Sequence, residues 1–450
     1  MVSFDAAEEK MRAAGASELA IKVFTRYARQ VSEGATGLIP EETIEPITQV
    51  PSIEDISVDP EKAHEALDAT VLLKLNGGLG TSMGMDKAKS LLPVRDGLRF
   101  IDIIAGQIKA ARERYDVRLP LILMNSFRTR EDSLEALDPD IEVDGLPIDF
   151  LQGKEPKLLV DTLQPAQWPA DPSLEWCPPG HGDIYTTLAD TGLVDRMLDL
   201  GYKYMMTSNA DNLGATPSAE IAAWFAASGA DYAPEVCVRT AADRKGGHLA
   251  RRISDGRVIL RDTAQTPPDQ MDYFTDEHRH PFFHTNNLWF NLEALRDLLR
   301  KTDGVVDLPL IRNRKHVDPT DSSSPEVYQL ETAMGAIVQS FAHAQPVCVP
   351  RSRFLPVKTT NDLFLLRSDV YKLTPDYHLA LIDSLQTAPT IDLDKNYYGF
   401  VADFDERIPA VPSIQQLESL KVTGDVAFTG HEELSGTLEI SGRGRIGVRG

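Results

Sequence analysis

Cysteine is scarce in this 450-residue chain, with only Cys177, Cys237 and Cys348, which stand singly and far apart. That spacing excludes a disulfide framework and a zinc site and leaves buried, reduced thiols as the expectation. Long apolar runs are missing too. The longest, such as 221–227, fall far below the roughly 18 to 20 residues needed to cross hydrocarbon. The opening Met-Val-Ser-Phe-Asp-Ala-Ala-Glu-Glu-Lys has neither the basic end nor the apolar core of a secretory signal, so a cytoplasmic setting is expected. Positive charge is in deficit: 46 Lys and Arg stand against 68 Asp and Glu, a net charge of −22. A polyanion such as duplex nucleic acid is repelled by such a field and is not an expected partner, and without a spanning run neither is a membrane. A small anionic substrate stays open, because a few lysines in one cleft act locally and distant charges are screened beyond about 8 to 10 Å.

What is present is ordinary for a globular protein: 42% hydrophobic and 25% charged residues, with 30 Gly and 29 Pro spread along the chain. The length predicts two or three folded units. Residues 3–31 repeat apolar positions at helical spacing, with Leu19, Val23, Tyr27 and Val31 on one stripe, which predicts an N-terminal helical segment over 1–45. Residues 39–69 are rich in proline and acid and read as a linker into a short strand, 71–75. Apolar runs at 119–124 and 202–207 then alternate with helical patterns at 101–115 and 218–227. That alternation predicts an α/β core with a mixed, mainly parallel sheet over 46–373. In the final segment, 374–450, Gly424, Gly430, Gly436 and Gly442 recur every six residues. This period predicts a short left-handed parallel β-helix, with a meander of short strands as the rival.

The strongest local signal follows the first strand: Asn76-Gly-Gly-Leu-Gly-Thr-Ser-Met-Gly-Met-Asp-Lys-Ala-Lys-Ser90. Backbone this bare lets amides approach an anion or a flat base without a Cβ in the way. No Gly-Lys-Ser/Thr closes the loop, and the glycine spacing misses the dinucleotide fingerprint by one residue. What remains is a strand and loop suited to a triphosphate, with Lys89 as counter-charge, or a structural glycine turn. A second bare loop, Pro178-Pro-Gly-His-Gly-Asp183, places His181 to donate to a phosphate or a sugar hydroxyl. A third segment, Ser208-Asn-Ala-Asp-Asn212, ends an apolar strand where a phosphate-bound cation would lie, although Asp211 could equally cap the following helix. Two more are His284-Thr-Asn-Asn-Leu-Trp289, polar amides beside an aromatic strand, and Val349-Pro-Arg-Ser-Arg-Phe-Leu-Pro-Val-Lys358. The second is read either as solvated charge or as a phosphate site at Lys358. Lys245-Gly-Gly-His248 is a further candidate sugar-facing loop.

Taken together these segments resemble the eukaryotic-type UTP:glucose-1-phosphate uridylyltransferases, or UDP-glucose pyrophosphorylases. The blocks run in family order from Leu73-Lys-Leu-Asn-Gly-Gly-Leu-Gly-Thr-Ser-Met-Gly through Met124-Asn-Ser-Phe-Arg-Thr and Pro178-Pro-Gly-His-Gly-Asp-Ile-Tyr to Tyr328-Gln-Leu-Glu-Thr-Ala-Met-Gly and the 349–359 segment. The resemblance implies a Rossmann-like nucleotidyltransferase core with a C-terminal β-helix domain. It implies that UMP passes reversibly from UTP to glucose 1-phosphate with magnesium, giving UDP-glucose and pyrophosphate. Leu75, Asn76, Gly77 and Gly78 would then lie against the uracil, with Gln152 and Gly180 reading its edge. Lys89 and Lys358 would hold the triphosphate, His181 and Asn209 the glucose 1-phosphate, Asp211 the magnesium and Asn286 the sugar hydroxyls. The chain departs from the family at His284, where an asparagine usually opens the run. A homo-oligomer formed through the C-terminal domain is a further expectation. The competing readings are a pyrophosphorylase for UDP-N-acetylhexosamine or several sugars, a non-catalytic sugar-nucleotide-binding protein, and a nicotinamide dehydrogenase, which the glycine spacing disfavours.

Overall fold

The computed structural model describes residues 2–240 and 243–445. The first residue of the 1–45 segment and residues 446–450 of the 374–450 segment lie outside them. The chain divides into two compact units, each assembled from separate stretches. The first takes the chain up to Leu73, then Asp144–Thr207 and Ser218–Pro350; the second takes Lys74–Val143, Ser208–Pro217 and the chain from Arg351 onward. No helix among the described residues is long and apolar enough to cross a membrane, and all three cysteines stand as thiols outside any disulfide.

In the first unit the expected N-terminal helix is two helices, Asp5–Ala13 and Glu18–Ser32. Gly15 turns the chain between them at φ +82°, and the Ser17 hydroxyl accepts the Ala20 N–H at 3.0 Å to start the second. The predicted stripe of Leu19, Val23, Tyr27 and Val31 is corrected. Ile21, Phe24, Ala28 and Val31 carry the buried face, together with Tyr27, and pack with Phe4, Met11, Leu158 and Leu330, whereas Leu19 and Val23 are only half-buried. A strict four-residue step drifts off a helix of 3.6 residues per turn, and alternating three and four does not.

The 39–69 linker is corrected as well. Strand Ile44–Pro46 pairs antiparallel with Gly247–Arg252, which pairs with Val258–Asp262, and Pro60–Asp68 is a helix capped by Asp59. The acidic residues read as linker signals are here a helix cap and, at Glu41, a buried counter-ion to Arg261, Arg279 and His280.

The other predicted elements are present, displaced by one or two residues: strands Thr70–Asn76, Leu121–Asn125 and Tyr204–Asn209, and helices Phe100–Tyr115 and Ala219–Ser228. Within the first unit, strands Val347–Cys348, Tyr232–Val238, Phe282–Asn291 and Tyr204–Asn209 are neighbours in that order. Only the first pair is parallel; Phe282–Asn291 runs antiparallel to both of its neighbours. The sheet is therefore mixed. The run His284-Thr-Asn-Asn lacks the near-continuous apolar character of a strand in an all-parallel sheet.

The C-terminal segment, in the second unit, is a three-stranded parallel sheet of Thr390–Leu393, Ser413–Ala427 and Glu433–Arg445. Gly424, Gly430, Gly436 and Gly442 all take positive φ, at +96°, +84°, +67° and +135°. The six-residue period thus marks backbone positions that a side chain would strain. Gly424 also lies opposite Gly442, three periods on, and a Cβ at Gly424 would come within 2.5 Å of the Gly442 carbonyl oxygen.

Candidate active site

The second unit holds the glycine loop. Buried Asn76 ends its strand by donating through Nδ2 to Asn125 Oδ1 at 2.7 Å and Ser133 Oγ at 2.8 Å. Two residues earlier, the buried Lys74 ammonium donates to Ser208 Oγ and the Ala215 carbonyl, both at 2.8 Å. Beyond Asn76 the backbone opens: a Cβ at Gly78 would meet nothing within 4 Å. The loop then closes on itself, because the Lys89 N–H donates to the Gly78 carbonyl at 3.1 Å. Lys89 Nζ lies 2.7 Å from Asp211 Oδ2, with 16% and 23% of the two side chains exposed.

Asp211 sits in a turn stitched on both sides. The Ala210 N–H donates to the Leu75 carbonyl at 3.0 Å, and the Val357 N–H donates to the Asp211 carbonyl at 3.2 Å. Asn212 accepts the Leu355 N–H at 2.8 Å and donates to the Arg353 carbonyl at 3.2 Å. Lys358 follows directly, exposed, its Nζ 5.8 Å from the Phe354 ring centre and its N–H donating to Asp362 at 2.8 Å. The structure therefore gathers Leu75 to Gly78, Lys89, Asn209, Asp211 and the backbone of Lys358. One alternative falls away: Ser218, not Asp211, caps the helix Ala219–Ser228. Of the three cations in the 349–358 segment, Arg353 is buried and bonded to the Thr216 carbonyl at 3.1 Å, whereas Arg351 and Lys358 are exposed. The Lys89–Asp211 pair itself was not foreseen.

Among the described residues no group of three or more His, Cys, Asp or Glu could form a metal cage. Asp211 alone suits a hard cation that arrives with phosphate oxygens, since Mg²⁺ takes one or two protein carboxylates and completes its shell with substrate and water.

Gln152, Gly180, His181 and Asn286 belong to the first unit. Gln152 Nε2 donates to the Gly180 carbonyl at 2.8 Å, so these two expected base readers are neighbours. His181 Nδ1 accepts the Met334 N–H at 2.8 Å. Burial pushes its pKa down to about 4, so the ring is neutral near pH 7 and carries its proton on Nε2. Asp183 Oδ2 accepts the Gly153 N–H at 2.7 Å and the Thr187 hydroxyl at 3.3 Å. Burial nevertheless raises its pKa to about 6, against those hydrogen bonds.

Because the folded value lies above the unfolded one, the stability associated with Asp183 is fully present below about pH 4 and is lost as pH rises through 6. The stability difference between wild type and Asp183→Asn is expected to shift by on the order of 3 kcal/mol between pH 4 and 7, in favour of the variant at the higher pH. Chemical denaturation of both proteins across that range measures it. Parallel curves would remove the buried carboxylate as the cause.

Asn286 takes φ +62° at an irregularity where 284–288 of one strand faces 234–236 of its neighbour. Such bulges re-aim a side chain, and asparagine tolerates the left-handed backbone. The buried Glu235 braces it, accepting Asn287 Nδ2 and Trp289 Nε1, both at 2.9 Å, while the Thr285 hydroxyl donates to the Glu235 carbonyl at 2.8 Å. Sequence reading passed over Glu235, although an acid inside the apolar run Tyr232-Ala-Pro-Glu-Val-Cys-Val was the available signal. It also gave no role to Asn125. The expected sugar-facing His248 is corrected: it is fully buried and stacks on His280 with ring centres 3.8 Å apart.

Comparison with known proteins gives the family of the chain. The family described as UTP--glucose-1-phosphate uridylyltransferase matches residues 21–434. The chain is similar to the UTP--glucose-1-phosphate uridylyltransferase of Solanum tuberosum, 37% identical over 407 residues, covering 90% of this chain and 83% of that one. The Saccharomyces cerevisiae protein of the same name is 38% identical over 396 residues, 87% and 77% of the two chains. A mutant UDP-glucose pyrophosphorylase from Leishmania major, solved in complex with UDP-glucose, superposes with a TM-score of 0.93 at 40% identity over 99% of this chain and 98% of that one. With a profile match spanning most of its length and the same strand, loop and turn framework, the chain belongs to the UTP--glucose-1-phosphate uridylyltransferase family.

Proposed function

We propose that this protein catalyses the reversible transfer of UMP from UTP to glucose 1-phosphate, yielding UDP-glucose and pyrophosphate. The observation that supports it most is the Lys89–Asp211 contact at 2.7 Å, joined through Val357 to Lys358 beside an open glycine backbone. A phosphate oxygen of glucose 1-phosphate attacks the α-phosphorus of UTP, the bond from that phosphorus to the bridging oxygen breaks, and pyrophosphate leaves in line with the electron pair. The nucleophile is already anionic, so no base and no covalent enzyme intermediate are required. The protein aligns two anions that repel each other and neutralises charge at phosphorus.

In this reading Leu75 to Gly78 lie against uracil, Gln152 and Gly180 read its edge, and Lys89 and Lys358 hold the triphosphate. His181 donates from Nε2 to the sugar phosphate, with Asn209, and Asn286 meets the sugar hydroxyls. Asp211 would hold magnesium, which when bound supplies further charge neutralisation at the phosphates. Three cysteines outside any disulfide fit a reducing, cytoplasmic setting. The three-period offset between Gly424 and Gly442 supports reading the C-terminal sheet as one coil of a left-handed β-helix. Its long edge strand, Glu433–Arg445, is the surface for self-association, where unpaired backbone groups invite a partner.

A coupled UDP-glucose assay over several nucleoside triphosphates, with and without magnesium and with glucose, galactose and N-acetylglucosamine 1-phosphates, tests the reaction. UTP, glucose 1-phosphate and magnesium together are expected to give the fastest turnover. A preference for the N-acetyl sugar, or UTP binding without turnover, would overturn it.

A further inference from the structure

We propose that His284 is a positioning residue for the sugar-phosphate side of the site, its imidazole fixing the left-handed backbone of Asn286 and sharing one support, Met334–Gly335, with His181. This rests on the reaction proposed above.

Three contacts carry the inference. His284 is 5% exposed, and its Nδ1 accepts the Asn286 N–H at 3.2 Å. The bond spans two residues and closes the chain around the position where φ is +62°. Gly335 packs against the same ring, since a Cβ there would come within 2.7 Å of His284 Cε1 and 3.0 Å of Nε2. The neighbouring Met334 N–H is the group His181 accepts. Two buried phenols hold that support in place: Tyr185 donates to the Met334 carbonyl at 2.6 Å and Tyr232 to the Gly335 carbonyl at 3.4 Å. Any movement of Met334–Gly335 therefore acts on His181 and His284 together.

The His284 ring costs stability at its outer nitrogen. With Nδ1 accepting, the neutral ring carries its proton on Nε2, and that buried nitrogen has no hydrogen-bond partner among the described residues. An unsatisfied buried donor is destabilising. What the imidazole supplies in return is the acceptor for Asn286.

The test separates a positioning role from a merely structural one. His284→Leu fills similar space without an acceptor, and is expected to raise KM for glucose 1-phosphate by about tenfold while KM for UTP stays within about twofold. His284→Asn offers a carboxamide oxygen at the same two-residue reach, an Asx-type turn, and is expected to restore most of the loss. Equal changes in both KM values, or no rescue by asparagine, would overturn the proposal. If His284→Leu does not fold, Gly335→Ala presses on the same ring and must produce the same split. Nitrogen-15 NMR of the wild-type imidazole gives a readout independent of turnover: an unprotonated Nδ1 is expected, and a protonated Nδ1 overturns the assignment even if the reaction stands. Absence of UDP-glucose formation by wild type alongside an unprotonated Nδ1 would instead count against the reaction.

Discussion

Lys89→Ala is expected to lower kcat by about two orders of magnitude, the usual result of removing one preorganised charge contact at a reacting centre. Lys89 Nζ is 2.7 Å from Asp211, and its own N–H closes the glycine loop on Gly78. The substitution keeps the backbone bond and removes only the ammonium. In the reading proposed above, one of the two side-chain cations that would neutralise the triphosphate is then missing. Stability should hardly move, because a partly exposed pair contributes about 0 to 1 kcal/mol. Lys358→Ala is expected to lose turnover to a similar degree, with no pair to break at Asp211. Steady-state UDP-glucose formation, alongside thermal unfolding, checks both variants. Turnover near the wild-type rate in the two of them would refute the lysine assignments.

Glu41→Ala has the opposite signature and is expected to destabilise the fold by about 3 to 5 kcal/mol, the range for removing one partner of a buried ion pair. Arg261 is fully buried and its guanidinium is bonded to Glu41, which also accepts Arg279 and lies 3.1 Å from His280 Nε2. Burial alone would raise the Glu41 pKa, but the bonds from Arg279, His280 and Arg261 hold it below the ordinary value. The stabilisation is therefore complete above the unfolded carboxyl pKa and is lost as pH falls through the depressed folded one. Denaturant unfolding of wild type and variant near neutral pH measures the loss. A difference under about 1 kcal/mol would mean that Arg261 finds another partner.

These two residues mark what was legible in the sequence. Lys89 stands in a local pattern, a strand followed by a bare loop and lysines, whose chemistry can be read without distant contacts. The periodic glycines of the C-terminal segment were readable as backbone requirements, because each takes a positive φ, but the parallel sheet they lie in is set by pairing between strands. Glu41 looked like linker acid, since its partners lie about 220 residues away and no local spacing announces them. The bulge at Asn286 was hidden for the same reason: it exists only against the Tyr232–Val238 strand, with Glu235 as its brace. Element types were legible where periodicity was strong. The antiparallel direction of Phe282–Asn291 and the assembly of each unit from separate stretches were not, because both are decided by long-range pairing.

The parallel pairing of the C-terminal strands bears on how this part of the molecule can vary in length. Ser413–Ala427 and Glu433–Arg445 run the same way, so Gly424 meets Gly442, and the buried Leu420 and Val422 stand beside Leu438 and Ile440. One residue added inside either strand would slip that pairing and turn every later side chain to the opposite face, carrying a buried row towards water. Length here is therefore less free to vary than composition: a side chain on the exposed face can be exchanged singly, whereas an added residue moves all that follow it.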